Sequence, residues 1–143
     1  MKKAVLLSTL VLSCAGAWAA EPIKTSTKTN FVDHSTDLLI DAATAKQVMG
    51  ENIPDKVWKL FPASKYAFIS QVEGGMKGTT CVVSARVMLV PLTPTAKAVL
   101  FRPQKMATAF DSAANSSTDA CKAMARDKLK EASLAVVSAL VKV

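Results

Sequence analysis

The N-terminal leader restricts what the rest of this 143-residue chain can become. Lys2 and Lys3 precede a short apolar run, and small residues follow it up to Ala17–Ala19. A positive start, an apolar stretch too short to cross a bilayer and an A-x-A ending are typical of a secretory signal peptide. We therefore expect residues 1–19 to be removed. Export would leave about 120 residues to fold under oxidising conditions, in the periplasm or outside the cell.

Cys14 leaves a second processing route open. The stretch Val11–Cys14 resembles a bacterial lipobox, in which the cysteine is acylated and becomes the first residue of the mature protein, although Leu12 stands where a small residue is usual. Both routes need the same charged and apolar regions, so these regions do not separate them. The alternative expectation is an outer-membrane-associated lipoprotein anchored through Cys14.

The size of the remaining chain predicts a single domain. About 120 residues can bury one core and are too few for two. With 50% hydrophobic and 20% charged residues, the composition is that of an ordinary globular protein. We expect a flexible N-terminal segment at 20–34 and one domain at 35–143. No later apolar run approaches the length of about 20 residues that a transmembrane span requires.

The charge balance is moderately basic. The chain carries 18 basic and 11 acidic residues, and removing Lys2 and Lys3 leaves 16 − 11 = +5. This charge favours an anionic envelope polymer, lipid headgroups or an acidic protein as a partner, and it is equally typical of a solvated lysine-rich surface. Nucleic acid is not expected, because an exported protein seldom meets it and no basic cluster is interleaved with aromatic residues.

Two cysteines remain after the leader, Cys81 and Cys121. An even pair in an oxidising compartment indicates a disulfide. Redox and metal sites usually hold cysteines close in sequence or beside other ligands, and neither condition is met here. A structural disulfide closing a loop of about 40 residues would contribute roughly 4 kcal/mol in the chain-entropy picture.

The N-terminal half predicts one strand and two helices. Asn30–His34 is typical of a short edge strand, and Ser35 or Thr36 offers an N-cap for a helix that ends at Gly50. A second, short helix is expected at Pro54–Phe61, since proline suits the first turn of a helix.

A hairpin is the most distinct local pattern. Tyr66–Glu73 and Met76–Val90 flank Gly74–Gly75, a pair that can adopt the positive φ of a two-residue turn. That turn would place Phe68 opposite Cys81 and direct Cys81 into the core. The predicted core-facing set is Tyr66, Phe68, Val72, Cys81, Val83, Ala85, Val87 and Leu89.

The C-terminal half predicts two more strands and a long helix. The strands are expected at Lys97–Arg102 and Lys105–Phe110, and the helix at Thr118–Val143. Ser116 and Asp119 resemble a capping box at the start of this helix.

One apolar stripe follows the helix at 3.6-residue spacing, with Cys121 at its head. Its members are Cys121, Met124, Ala125, Leu129, Ala132, Val136, Leu140 and Val143. A disulfide from Cys121 to Cys81 would hold the helix against the apolar face of the hairpin. We therefore predict an α+β fold: an antiparallel sheet of three to four strands packed on a long C-terminal helix, with short N-terminal helices.

Residues suited to catalysis or metal binding are sparse. His34 is the one histidine, and with Asp33, Asp37 and Asp41 nearby it makes a weak metal-ligand set. Neither a phosphate-binding glycine loop nor a G-x-S-x-G nucleophile turn is present. We expect no catalytic residues, no metal site and no cofactor. A hydrolase with an unrecognised site is kept as a further alternative.

Two apolar features exceed what a core requires. Trp58 falls beside the apolar face of the short helix, and tryptophan is enriched at binding hot spots. Leu134, Val137 and Val141 form a second stripe on the C-terminal helix. Burial at the core margin is the alternative for both. The hypothesis is contact with a protein partner, or with a second copy, through the C-terminal helix.

The leading functional hypothesis is thus an exported, non-catalytic protein-interaction module. Inhibitors and immunity-type proteins are of this kind, as are accessory subunits of envelope assemblies. The alternative is a protein held at the envelope surface by charge or by acylation at Cys14.

Overall fold

The computed structural model describes residues 28–93 and 102–141. The leader with Cys14, most of the predicted strand Lys97–Arg102, and Val143 lie outside these residues. Described Arg102 belongs to no strand. In chain order the elements are β1 (Phe31–Asp33), α1 (Ala42–Asn52), α2 (Asp55–Leu60), β2 (Tyr66–Lys77), β3 (Thr80–Pro91), β4 (Lys105–Ala113) and α3 (Thr118–Leu140).

The α+β architecture is confirmed. The four strands form one sheet in the order β1-β2-β3-β4, and α3 packs against β2, β3 and β4. β2, β3 and β4 are antiparallel, whereas β1 pairs with β2 in parallel. The parallel pair has a topological reason: α1 and α2 lie between β1 and β2, and this long connection returns the chain in the same direction. β1 also lies inside the segment 20–34 that was expected to be flexible.

The hairpin turn lies four residues beyond the predicted one. Gly74 and Gly75 are inside β2, and the chain turns at Gly78–Thr79 with Lys77 opposite Thr80. The predicted pairing of Phe68 with Cys81 is therefore wrong, since Phe68 faces Leu89. Moving the turn by four residues moves each partner by eight, an even number, so every side chain keeps its face. The predicted core-facing residues of the hairpin are buried except Tyr66, which is partly exposed.

Both glycines have positive φ, and Gly74 also lies at a close approach between the strands. Gly74 has φ +121°, and a Cβ atom there would collide with the carbonyl oxygen of Val82. Gly75 has φ +135° and open space around the corresponding position. The glycine pair thus resembles a hairpin turn in sequence, while its positive φ values are used within a strand.

α1 begins later than the sequence pattern suggests. Its N-cap is Asp41, whose side chain accepts a hydrogen bond from the Thr44 N–H at 2.8 Å. Ser35 and Thr36 were predicted to cap the helix, but they extend the pairing of the chain with β2. The Ser35 Oγ accepts from the Val72 N–H at 2.9 Å, and the Thr36 N–H donates to the Val72 carbonyl at 3.2 Å. α1 then runs two residues past Gly50, whereas α2 lies within its predicted range.

α3 begins at Thr118, as predicted, but its cap differs. The Ser117 Oγ accepts from the Ala120 N–H at 3.1 Å, so the predicted capping box of Ser116 and Asp119 is wrong. The Ser116 N–H instead donates to the Thr79 carbonyl at 2.9 Å, which holds the residue before the cap against the β2–β3 turn.

The core lies between α3 and one face of the sheet. The predicted stripe supplies five of the six buried positions of α3, and Met124 and Leu140 pack at its margin. The buried members are Cys121, Ala125, Leu129, Ala132 and Val136. The sixth buried position is Ser133, whose hydroxyl donates to the Leu129 carbonyl at 2.8 Å. The predicted disulfide between Cys81 and Cys121 is present and joins this stripe to β3.

Candidate interaction surface

The sheet has one face toward α3 and one face that none of the described helices covers; we call the latter the open face. The strand register places one residue of every strand side by side in a row across this open face: Val32, Ile69, Met88 and Met106. All four side chains are apolar. A continuous apolar row on the side of the sheet away from α3 is unusual for a solvated face, on which polar residues normally predominate.

Burial along this row decreases toward β4. Ile69 is buried together with Ala67 and Val90 in a second, smaller cluster, around which Val32, Met88 and Leu92 pack. Met106, at the β4 end, is 54% exposed, against 6% for Ile69. On the open face, the apolar side chains are therefore most buried on β2, at Ile69, and most exposed on β4, at Met106.

β4 carries the large exposed apolar side chains of the open face. Phe110 is 63% exposed and stands two positions of the same face away from Met106, with Thr108 between them. Ala107 and Ala109 occupy the alternate positions and face α3. The small alanines allow the helix to lie close to β4, and alternation then turns the larger residues outward.

A pattern within the predicted strand Lys105–Phe110 already indicates this arrangement. Small and large residues alternate there as Met-Ala-Thr-Ala-Phe. Since alanine suits a close helix–sheet contact, the alternation by itself indicates which face of the strand is inside. The same period of two separates the faces of the β2–β3 hairpin.

The outer edge of β4 pairs with no other strand that the structure describes. Within the described residues, β3 is the one strand paired with the nine-residue β4. Proteins usually protect a free edge with proline, a bulge or inward-pointing charge. Lys105–Ala113 contains no proline, and its two charged residues, Lys105 and Asp111, stand near its ends. The side chains of β4 on the open face are uncharged.

An ion pair ties β4 to α3 on the opposite face. The Lys128 Nζ lies 3.2 Å from the Asp111 Oδ2 and 2.7 Å from the Glu131 Oε2. The hydrogen bond from Lys128 lowers the pKa of Asp111, aided by the Ser112 N–H. Hydrogen bonds to Glu131 and then to Asp111 raise the pKa of Lys128. The Asp111 side chain is 47% exposed and that of Lys128 is 18% exposed. Solvent therefore screens the pair in part, and it orients β4 more than it stabilises the fold.

Trp58, a predicted contact residue, is 8% exposed. Its ring packs edge-on against Phe68 and Phe31, with centroids 5.2 and 5.4 Å away. The indole Nε1 is buried and has no hydrogen-bond partner among the described residues. The ring thus belongs to the core cluster.

The predicted second stripe of α3 divides into exposed and packed members. Leu134 is 44% exposed. Val137 and Val141 are partly buried and pack against the core together with Leu140. Leu134 is therefore the most exposed of the three residues in this stripe.

Hydrogen bonds beside His34 join β1 to β2. Asp33 accepts hydrogen bonds from the hydroxyls of Ser35 and Ser70, both at 2.6 Å, which fixes β1 against β2. His34 is exposed beside it. Across 28–93 and 102–141, no three His, Cys, Asp or Glu residues lie close enough together to hold a metal ion. No helix in the same ranges has the length and apolarity to cross a membrane.

No protein-family model matches this chain, and no curated protein matches it either. Two solved structures are similar in part. A candidate lipoprotein from Caulobacter crescentus CB15 is 11% identical, over 77% of this chain and 83% of that chain, with a TM-score of 0.37. A dodecamer of PelC from Paraburkholderia phytofirmans is 12% identical, over 80% and 89%, with a TM-score of 0.40. At this level of similarity, neither structure carries a functional conclusion for this chain.

Proposed function

We propose that this protein is an exported, non-catalytic protein-interaction module that binds its partner along the free edge of β4. The observation that carries the proposal is the exposure of Phe110 and Met106, 63% and 54%, on the open face of β4. Among the described strands, β4 is an edge strand with nothing paired to its outer side. The partner chemistry that fits is a polypeptide in extended conformation, added to the sheet as a further strand.

Two physical arguments support this partner. A strand added to a sheet edge satisfies the free backbone groups, and the alternate side chains supply specificity. Aromatic residues and methionine are enriched at the centres of protein interfaces, and two of them flank Thr108 here. The same strand left uncovered would be a site of aggregation.

The C-terminal helix is the alternative surface, because Leu134 is 44% exposed. It is the weaker candidate, since Trp58, Val137 and Val141 pack in or against the core. Acylation at Cys14 would change how the module is anchored and would leave either surface free to bind. Such a module could act as an inhibitor of the immunity type or as an accessory subunit of an envelope assembly.

Photo-crosslinking in the intact cell envelope tests the proposal. A benzophenone side chain is placed at Phe110, Met106 or Leu134, with Leu60, 60% exposed at the end of α2, as the control. We expect discrete adducts from Phe110 and Met106, lost when Thr108 between them is replaced by lysine, and none from Leu60. An adduct from Leu134 alone would transfer the binding site to α3, and equal labelling from all four positions would contradict a specific site.

A further inference from the structure

We infer that the strand that pairs with β4 is β4 of a second copy of this chain, antiparallel to the first and related to it by a two-fold axis at Thr108. The inference rests on the proposed function, because it names the partner of the same edge. It joins two four-stranded sheets into one continuous sheet.

Symmetry limits how two copies of β4 can pair. A two-fold axis perpendicular to the sheet leaves the open faces of both copies on the same side. Residues directly opposite each other must then come from the same face of their strands. Each permitted register is centred on one residue, which faces its own copy.

The register centred on Thr108 pairs opposite charges with each other and apolar side chains with each other. Lys105 then faces Asp111 of the other copy, and this pair occurs twice on the helix side. Met106 faces Phe110, and this pair occurs twice on the open face. Thr108 faces its own copy, and cross-strand threonine pairs are favourable.

The neighbouring registers lose these contacts. Centring on Ala109 places Lys105 opposite Ala113 and Met106 opposite Ser112. Centring on Ala107 leaves Phe110 opposite Gln104, outside the strand. Since opposite charges lie equally far on either side of Thr108, β4 complements itself, a property that a strand selected for a foreign partner does not need.

The interface is expected to be small. Pairing covers about seven residues of each copy, or roughly 24 Å of strand. Interfaces of limited area usually belong to weak, reversible complexes. The dimer is therefore expected to form only at high protein concentration. The Asp111–Lys128 ion pair can persist, because a carboxylate accepts more than one cationic donor.

Cysteine crosslinking tests the register directly. Thr108→Cys is compared with Ser112→Cys, on the same strand and face, in chains that also carry Cys14→Ser so that the added thiol is the only free one. Under mild oxidation with copper phenanthroline, we expect Thr108→Cys to form the intermolecular disulfide about tenfold faster or more, since cross-strand Cβ atoms lie about 5 Å apart. Equal rates for the two variants would overturn the register.

Charge at the axis provides the second test. Sedimentation of the wild-type chain from about 1 to about 500 µM should show a monomer–dimer equilibrium. Thr108→Lys places two lysines opposite each other, and we expect it to weaken association by about tenfold or more. Ser112→Lys adds the same charge outside the paired stretch and should leave association unchanged. Unaltered urea midpoints for both variants exclude unfolding as the cause.

The two proposals can fail separately. A wild-type chain that stays monomeric throughout this range, while Phe110 still crosslinks specifically to a different protein, overturns self-pairing and leaves the interaction module standing. A monomer without specific crosslinks overturns both.

Discussion

Cys81, on the buried face of β3, is covalently joined to Cys121 in the first turn of α3, with their Cα atoms 5.5 Å apart. The bond connects the sheet to the helix that covers it. Both cysteines are buried, so the bond also contributes to the core.

Breaking this disulfide should destabilise the fold strongly. Its sequence separation of 40 residues corresponds to roughly 4 kcal/mol of chain-entropy stabilisation. We expect reduction to lower the free energy of unfolding by about this amount, which urea denaturation would show as a lower midpoint. In the Cys81→Ala/Cys121→Ala double variant, reductant should have no effect. Coinciding midpoints for oxidised and reduced wild-type protein would contradict a structural role.

The two strand glycines should differ in their tolerance of alanine. Both have positive φ, so each substitution is expected to cost about 1–3 kcal/mol in backbone strain. Gly74→Ala should cost clearly more than Gly75→Ala, because its Cβ also collides with the Val82 carbonyl. Gly78→Asn, at φ +63°, is the control and should be nearly neutral, since asparagine adopts the left-handed region. Urea unfolding checks this order; equal losses at 74 and 75 would argue against the close approach.

Two phenylalanines should separate stability from binding. Phe68 is fully buried, and Phe68→Ala is expected to cost about 3–5 kcal/mol. Phe110 is 63% exposed, so Phe110→Ala should change the unfolding free energy by less than about 0.5 kcal/mol while weakening association. Denaturation and sedimentation of the same samples provide both measurements. A large loss of stability on replacing Phe110 would show that the residue serves the core.

The cap of α3 offers a test within two adjacent serines. Ser117→Ala removes the side-chain acceptor of the Ala120 N–H and should cost about 1 kcal/mol. Ser116→Ala retains its backbone hydrogen bond to Thr79 and should be close to neutral. The opposite order in thermal or urea unfolding would restore the sequence-based cap at Ser116.

The ion pair between β4 and α3 predicts a pH dependence. The pKa of Asp111 is held below its ordinary 3.8 by the hydrogen bond from Lys128, so folding favours the ionised carboxyl. Its stabilisation is present above that value and is lost as the pH falls through the lowered pKa. Wild type should therefore exceed Asp111→Asn in stability at neutral pH, by an amount that shrinks below about pH 4. The effect of Asp111→Asn should lose this pH dependence in a Lys128→Met background.

Alternation along the strands allowed the inside of the hairpin to be predicted without knowledge of its turn. Phe68, Cys81 and Val83 were assigned to the core from the period of two, and they remain there after a shift of eight positions. The position of the turn could not be predicted in the same way, because Gly74–Gly75 is as good a local signal as Gly78–Thr79. The close approach of the Val82 carbonyl, which requires glycine at position 74, appears only when the two strands pair.

The sequence by itself thus determined the α+β class, the core face of the hairpin, the start of α3 and the cysteine pair, because each follows from local periodicity or from residue counting. Tertiary structure decided the exposure of the aromatic residues. Trp58 is buried because Phe31, on an edge strand distant in sequence, packs against it. Phe110 is exposed because α3 covers the alanine face of β4 and turns the other face outward. Local alternation indicates which face of β4 lies inside. Which elements pack against each face is decided by contacts between distant parts of the chain.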